Sequence, residues 1–324
     1  MGGVAGGDLA AAVTRAGGIG QIGFNGSPFA MEQELVFAKE RLGGLAHDFP
    51  VLPIGIGIIV QSTPHSSWSV LLAKYKPALV WLSFGTTQQS HAWTKAIRAA
   101  SPQTQVWLQT GSVGTALAAA ESFSPDALVL QGSDAGGHGN SNAASIVSLI
   151  PEVADRLKEQ QEDHEIMLLA AGGISDGRGV AAALALGAGG VVMGTRFLGA
   201  EEAALDPSMR EEIFRATDGG EATVRSRIWD DIWGQNPWPK TFDGRCLKNA
   251  MWHNLDSGMS VRDVRQAYLE ASRKAEFQNI DPKDLATMWA GTGVGMVKRM
   301  ESANEIVKNI RTEARSRLQA MPSL

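Results

Sequence analysis

A histidine within a run of glycines is the feature of the sequence best suited to chemistry. His138 lies in the segment Gln131–Gly139, which reads QGSDAGGHG. The apolar run at 126–131 predicts a buried strand, so the histidine follows a strand end, where glycines allow a ligand to approach closely. Histidine is the usual side chain for proton transfer near neutral pH. We therefore predict that His138 transfers a proton, with Asp134 as a group that could orient it.

Two further glycine-containing segments have the composition of phosphate-binding loops. They are Ala171–Gly177 (AGGISDG) and Val191–Arg196 (VVMGTR), and each follows an apolar run. Free N–H groups at helix starts hold anions, glycines let the backbone come close, and the Thr195 hydroxyl can donate to a phosphate oxygen. In eight-stranded α/β barrels the loops after the last two strands are the usual phosphate site. We predict a phosphate site here, the alternative being two tight turns without a ligand.

Other catalytic motifs are missing from the sequence or stand in the wrong context. A GxGxxG run at 18–23 follows a helix-like stretch, whereas a dinucleotide-binding fingerprint follows a strand and opens a helix. Neither the GxSxG of serine hydrolases nor the GxxxxGK[S/T] of P-loop enzymes occurs. The single cysteine, Cys246, is predicted to be inert, and no histidine has a partner at metal-ligand spacing, so we predict no metal site. The histidines other than His138 are His47, His65, His91, His164 and His253.

Composition excludes several classes of partner. The 324 residues carry a net charge of -5, with acidic and basic residues interspersed, so there is no basic stripe for nucleic acid or for a membrane surface. No apolar run approaches the roughly 20 residues of a membrane helix, and a signal peptide is not evident. One cysteine allows no disulfide within the chain. We expect a cytoplasmic protein that acts on small molecules.

The elements that must position these residues alternate between short apolar runs and alanine-rich helical stretches, as in a parallel sheet with crossover helices. The predicted strands are 51–60, 78–83, 104–109, 126–131, 166–170 and 189–193, preceded by a helix near 8–16 and a strand near 18–22. The predicted helices between them are 64–75, 89–100, 112–123, 144–161 and 176–187. This pattern favours a (β/α)8 barrel that lacks its first strand, with a doubly wound sheet as the alternative. The missing strand would also fit a truncated gene model.

The pattern changes after the last predicted strand. We predict three parts: a barrel over 1–205, a helical, tryptophan-rich insertion or lid over 206–290, and a glycine segment with a closing helix over 291–324. The closing helix is expected near 297–318. The tryptophans of the insertion are expected to attach it to the barrel. They are Trp229, Trp233, Trp238 and Trp252.

Together these motifs resemble the nitronate monooxygenase family, formerly called 2-nitropropane dioxygenases, over nearly the whole chain. Met1–Ala5 (MGGVA) resembles the flavin-contacting turn after the family's first strand. The run from Gln131 to His138 resembles its glycine-rich loop with the catalytic histidine. Gly172-Gly173 and Gly194-Thr195 match its phosphate loops, and the run from Trp289 to Gly295 resembles its C-terminal segment near the flavin.

The resemblance implies an FMN-dependent barrel enzyme that oxidises nitronates or nitroalkanes with O2. His138 would be the catalytic residue, acting as a base or as a hydrogen-bonding partner of the nitro group. The implied FMN contacts are Met1, Gln109, Gln131, Gly136, Gly172, Gly173, Val192, Met193, Gly194 and Thr195.

Two alternatives use the same motifs. An NAD(P)H-dependent FMN reductase of quinones or enoyl thioesters would share the barrel and the glycine loops. A barrel without flavin could serve as a binding or assembly module, for which the missing first strand is the main support.

Overall fold

The fold consists of two sheets and a surrounding layer of helices. The computed structural model describes residues 1–160, 166–278 and 287–320. In chain order, the strands are β1 (Gln21–Ile22), β2 (Leu52–Ile59), β3 (Pro77–Ser83), β4 (Gln105–Thr110), β5 (Ala127–Gln131), β6 (Gly137–Asn140), β7 (Met167–Ala171), β8 (Gly190–Val192), β9 (Thr223–Ser226) and β10 (Phe242–Leu247). The helices are α1 (Gly7–Arg15), α2 (Pro28–Leu42), α3 (Ser69–Tyr75), α4 (Thr87–Ala100), α5 (Val113–Phe123), α6 (Ile146–Gln160), α7 (Gly177–Ala185), α8 (Pro207–Arg215), α9 (Gly219–Ala222), α10 (Ile228–Asp231), α11 (Ala250–Asp256), α12 (Val261–Gln278) and α13 (Ala303–Gln319).

The main sheet has seven parallel strands in the order β1-β2-β3-β4-β5-β7-β8. Helices connect them, and the sheet curls into a half-barrel with β1 and β8 as its edges within the described part of the chain. The predicted α/β barrel without its first strand is confirmed. A doubly wound sheet reverses its strand order partway, but here the order follows the chain throughout, so that alternative is wrong.

Side chains of the main sheet alternate between its two faces, as the two-residue period of a strand requires. On β3, Val80 and Leu82 join the core beneath the helices, whereas Leu79 and Trp81 belong to a second cluster inside the half-barrel. β4 and β5 follow the same alternation. Their inner faces end in Gln109 and Gln131, which is why two polar side chains meet at the carboxyl end of an otherwise apolar interior.

The long C-terminal helix closes the helical layer beside the open edges of the sheet. α13 packs against α1 and α7, the helices nearest β1 and β8. It begins at Ala303, later than the predicted 297, because Ser302 caps it: the Ser302 hydroxyl accepts from the Glu305 amide, and the Glu305 carboxylate accepts from the Ser302 amide. Across the described ranges, no helix is both long and apolar enough to span a membrane.

The second sheet corrects two predictions. β6, β10 and β9 form a small antiparallel sheet in which His138 lies opposite Gly244. The residues 137–140 are therefore a strand rather than part of a loop, and the described part of 206–290 contains two strands as well as helices. β6 is rich in glycine, which has low strand propensity, and its partner β10 is about a hundred residues away in the chain. β9 and β10 have four and six residues, and they pair with each other and with β6 rather than with the main sheet.

The C-terminal extension has a core of its own. Trp229 packs there with Ile228, Ile232 and Cys246, and Trp252 lies beside it with ring centroids 6.2 Å apart. Trp233 is exposed, and Trp238 lies outside this cluster, where it stacks on His138. The tryptophans therefore do not share one role, and only some of them stabilise the extension.

Replacing Trp229 with alanine should reduce the free energy of unfolding by about 3–5 kcal/mol, because it opens a large cavity in this core. Trp229 is 1% exposed, whereas Trp233 is 52% exposed, so Trp233→Ala is the matched control. The control removes the contact between the rings of Trp233 and Tyr268, which should reduce the free energy of unfolding by at most about 1.5 kcal/mol. Guanidinium unfolding of both variants measures the difference, and equal losses would contradict the assigned core.

Candidate active site

A cavity of about 800 Å³ lies inside the half-barrel and includes residues at the carboxyl ends of the main strands. This volume is within the roughly 300–1,000 Å³ of sites for small molecules and cofactors. Asp134 is not among the residues that line the cavity, whereas the predicted catalytic residue and all the predicted FMN contacts are. These are Met1, Gln109, Gln131, Gly136, His138, Gly172, Gly173, Val192, Met193, Gly194 and Thr195.

His138 is held on both its backbone and its side chain. β6 pairs its backbone with β10, and its Nε2 lies 2.9 Å from Oδ1 and 3.0 Å from Oδ2 of Asp230. The two side chains are only 16% and 13% exposed. Asp230, on α10, is the partner that sequence reasoning missed, because nothing in its local sequence marks it. Asp134, the predicted orienting group, lies instead against Gly173.

Aromatic rings surround the imidazole. Trp238 stacks on it with centroids 4.0 Å apart, Trp289 lies at 4.5 Å, and Phe84 meets it edge-on at 6.4 Å. A Cβ added at Gly244, opposite His138, would overlap the Trp289 ring, so this glycine makes room for the contact. Together the rings form an apolar wall around the imidazole of His138.

Two glutamines connect the sheet interior to this histidine. Gln109 donates from Nε2 to Oε1 of Gln131 at 2.9 Å, and Gln131 donates from Nε2 to the carbonyl of His138 at 3.0 Å. The chain of bonds fixes which way each amide faces. Gln109 and Gln131, predicted separately, therefore act on one side of the cavity.

Two arginines fasten the glycine-rich loop to the second sheet. Arg225 of β9 and Arg245 of β10 both donate to the carbonyl of Ser133, and Arg225 also forms an ion pair with Asp243. Burial, followed by the nearby charge of Arg225, lowers the pKa of Arg245. The loop that precedes His138 is thus held by charged groups from a distant part of the chain.

The first phosphate-type loop turns sharply at two glycines. Gly172 and Gly173 have φ of 111° and 74°, the left-handed region that favours glycine. A Cβ added at Gly172 would lie 2.9 Å from the amide nitrogen of Ala135, so the two loops pack backbone to backbone. Both glycines line the cavity.

The start of α7 differs from the prediction. Its first amides are already bonded, because Asp176 accepts from Arg178 and Gly179, and Glu313 accepts from Gly177. Burial alone would raise the pKa of Asp176, but the bonds from Arg178 and Gly179 outweigh it and lower that pKa. The amides of Gly177, Arg178 and Gly179 are therefore not free to bind an anion.

The C-terminal glycine segment connects the loops around the cavity. The amide of Gly291 donates to Oγ1 of Thr195 at 2.9 Å, and the amide of Thr292 donates to the carbonyl of Asp134 at 3.0 Å. Ser175 donates from Oγ to the carbonyl of Gly293. Because the Thr195 hydroxyl accepts from Gly291, its own proton remains available for a ligand.

Met1 lies between the two edges of the main sheet. Its carbonyl accepts from the amides of Val4 and Ala5 at 3.2 and 3.0 Å. A Cβ added at Gly194, after β8, would lie 3.6 Å from Cγ of Met1, and Gly23, after β1, packs on its carbonyl. The turn at Met1 thus completes the wall of the cavity where the sheet is open.

No group of histidine, cysteine, aspartate or glutamate suited to a metal ion occurs among the described residues. His164 lies outside them. Cys246 is buried in the core of the extension, and burial raises the pKa of its thiol well above the ordinary value, with Asp230 adding to the effect. A buried, protonated thiol is a poor nucleophile.

Cys246 should therefore resist thiol reagents in the folded protein. At pH 8 we expect little labelling by a disulfide reagent until denaturant is added, when one thiol per chain reacts. The time course of labelling with and without guanidinium measures this. Fast, complete labelling of the folded protein would contradict the buried position of the thiol.

Known proteins resemble this chain in sequence over most of its length. The family model described as nitronate monooxygenase matches residues 59–313. The nitronate monooxygenase npaC of Metarhizium robertsii is 39% identical over 316 residues, which cover 95% of this chain and 87% of that protein. A nitronate monooxygenase of Neurospora crassa is 36% identical over an aligned region that covers 97% of this chain and 87% of that protein.

Solved structures agree on the fold. The structure of FabK from Thermotoga maritima superposes with a TM-score of 0.74 at 25% identity and covers 98% of this chain and 92% of that one. A nitroalkane oxidase from Streptomyces ansochromogenes superposes with a TM-score of 0.73 at 21% identity. The superposition covers 99% of this chain and 95% of that one. The extent of the sequence matches decides the assignment: the chain belongs to the nitronate monooxygenase family, a family of flavin-dependent oxidoreductases.

Proposed function

We propose that this protein binds FMN in the cavity described above and oxidises nitronates there, with O2 as the electron acceptor and His138 in contact with the substrate. One observation carries the proposal: the histidine, the paired glutamines and both phosphate-type loops line the same cavity. Membership of the nitronate monooxygenase family supports the choice of substrate.

The cavity fits FMN in size and in its donor groups. The turn at Gly173 and the loop Gly194-Thr195 would hold the phosphate, since the backbone is open there and the Thr195 hydroxyl has a proton to donate. The amides of Gln109 and Gln131 would face the ring system from the sheet interior. The remaining proposed contacts are Met1, Gly136, Gly172, Val192 and Met193. Bound there, FMN would take electrons from the substrate and pass them to O2.

The chain itself would orient the substrate and exclude water. The rings of Phe84, Trp238 and Trp289 offer an apolar surface for an alkyl group, and His138 offers the polar contact for a nitro group. Phe84 has a φ of 56°, an uncommon backbone conformation for a bulky residue. Its ring centroid lies 4.9 Å from that of Trp238 and 5.4 Å from that of Phe242. These contacts hold the Phe84 ring in place beside His138.

We also propose a cytoplasmic location. The chain has one cysteine, which is buried, so the fold gains nothing from an oxidising compartment.

Replacing His138 with asparagine should leave FMN bound but lower turnover of a neutral nitroalkane by at least about 100-fold, the usual contribution of a general base. FMN should remain because the phosphate loops do not depend on the imidazole. Oxygen consumption measures turnover, and the visible spectrum measures bound flavin. The matched control is His253→Asn, on an exposed position of α11.

Full activity of His138→Asn on every substrate that the wild type accepts would contradict the assigned role. Loss of flavin together with activity in this variant would place His138 in cofactor binding instead. The His253→Asn control should match the wild type in both measurements.

A further inference from the structure

Asp230 accepts from one particular nitrogen of His138. Its two carboxylate oxygens are almost equally close to Nε2, at 2.9 and 3.0 Å, which is the arrangement of one N–H shared between two acceptors. A carboxylate only accepts, so Nε2 carries a proton. In a neutral imidazole the other nitrogen, Nδ1, then has a free lone pair. Nδ1 has no hydrogen-bond partner within the described ranges.

Both members of this pair are fixed by their surroundings. Stacking of Trp238 and the contact of Trp289 restrict rotation of the imidazole. Asp230 follows Trp229 on α10, and the buried side chains of Trp229 and Ile232 anchor that short helix in the core of the extension. The extension therefore holds both members of the pair in the observed geometry.

We propose that Asp230 is a positioning residue that sets the tautomer of His138, so that Nδ1 removes the proton from a neutral nitroalkane. This rests on the proposed function, because it needs a nitroalkane in the cavity. The C–H bond beside the nitro group breaks, its proton forms the N–H bond at Nδ1, and its electron pair moves onto the nitro group to give the nitronate. The new positive charge on the imidazole is stabilised by the carboxylate through Nε2–H.

The proposal separates two kinds of substrate. A neutral nitroalkane needs a base, whereas a nitronate prepared in advance has already lost the proton. The amide of an Asp230→Asn variant can donate to Nε2, which favours the tautomer with its proton on Nδ1 and so blocks the base. We expect turnover of the nitroalkane to fall by about 100-fold or more, while turnover of the nitronate changes little.

Two further variants complete the experiment. Asp230→Glu keeps the carboxylate and should retain much of the nitroalkane activity. Asp231→Asn makes the same chemical change on the next residue of α10, which accepts from Asn236 and not from His138, and should behave as the wild type.

The tautomer can be measured directly, without relying on any variant of Asp230 folding. In wild-type protein labelled with ¹⁵N-histidine, NMR should show His138 protonated at Nε2 and not at Nδ1, with its signals assigned by their loss in His138→Asn. Asp230→Glu should keep this pattern, and Asp230→Asn should shift protonation towards Nδ1.

The outcomes that overturn the proposal are distinct from those that overturn the proposed function. A neutral wild-type His138 protonated at Nδ1, or equal loss of both substrates in Asp230→Asn, overturns the role of Asp230. A wild type that oxidises nitronates but not nitroalkanes overturns it too and leaves nitronate oxidation intact. A wild type that oxidises neither substrate overturns both proposals.

Discussion

The pairing of β6 with β10 is the interaction on which the rest of the site depends. It takes four residues of a glycine-rich segment, 137–140, and gives them the fixed geometry of a strand with His138 opposite Gly244. The absence of a side chain at Gly244 admits the Trp289 ring, and the extension that carries β10 also carries Asp230 and Trp238. Without this pairing the histidine would lie on a mobile turn. The conformational entropy lost on ordering that turn would then reduce the affinity for the substrate.

The half-barrel supplies the other half of the site by simple strand geometry. Parallel strands end at one edge, so the loops after β4, β5, β7 and β8 converge there. The segment at Gly291 then connects these loops, because its amide bonds to Thr195 and the neighbouring Thr292 amide bonds to the loop before His138. The cavity is therefore enclosed by three stretches of the chain that are distant in sequence.

The parts of this arrangement that depend on local sequence were predictable, and those that depend on distant contacts were not. Apolar runs such as 126–131 identify buried strands, and glycines beside a histidine or a threonine identify close backbone approach. Asp230 carries no such signal, since its role comes from packing of α10 on a core that forms only in the folded chain. The same is true of β9 and β10, and of Asp176, whose side chain accepts from the first amides of α7.

The proposed function requires that the cavity hold FMN and that this FMN accept electrons from a nitronate. Anaerobic mixing of the purified protein with propane-2-nitronate, followed by visible absorbance, tests it most directly, with NADH as the second reactant. We expect the yellow flavin colour to be lost rapidly with the nitronate, to persist with NADH, and to return when oxygen is admitted. Loss of colour with NADH but not with the nitronate, or a colourless protein that does not take up FMN, would contradict it.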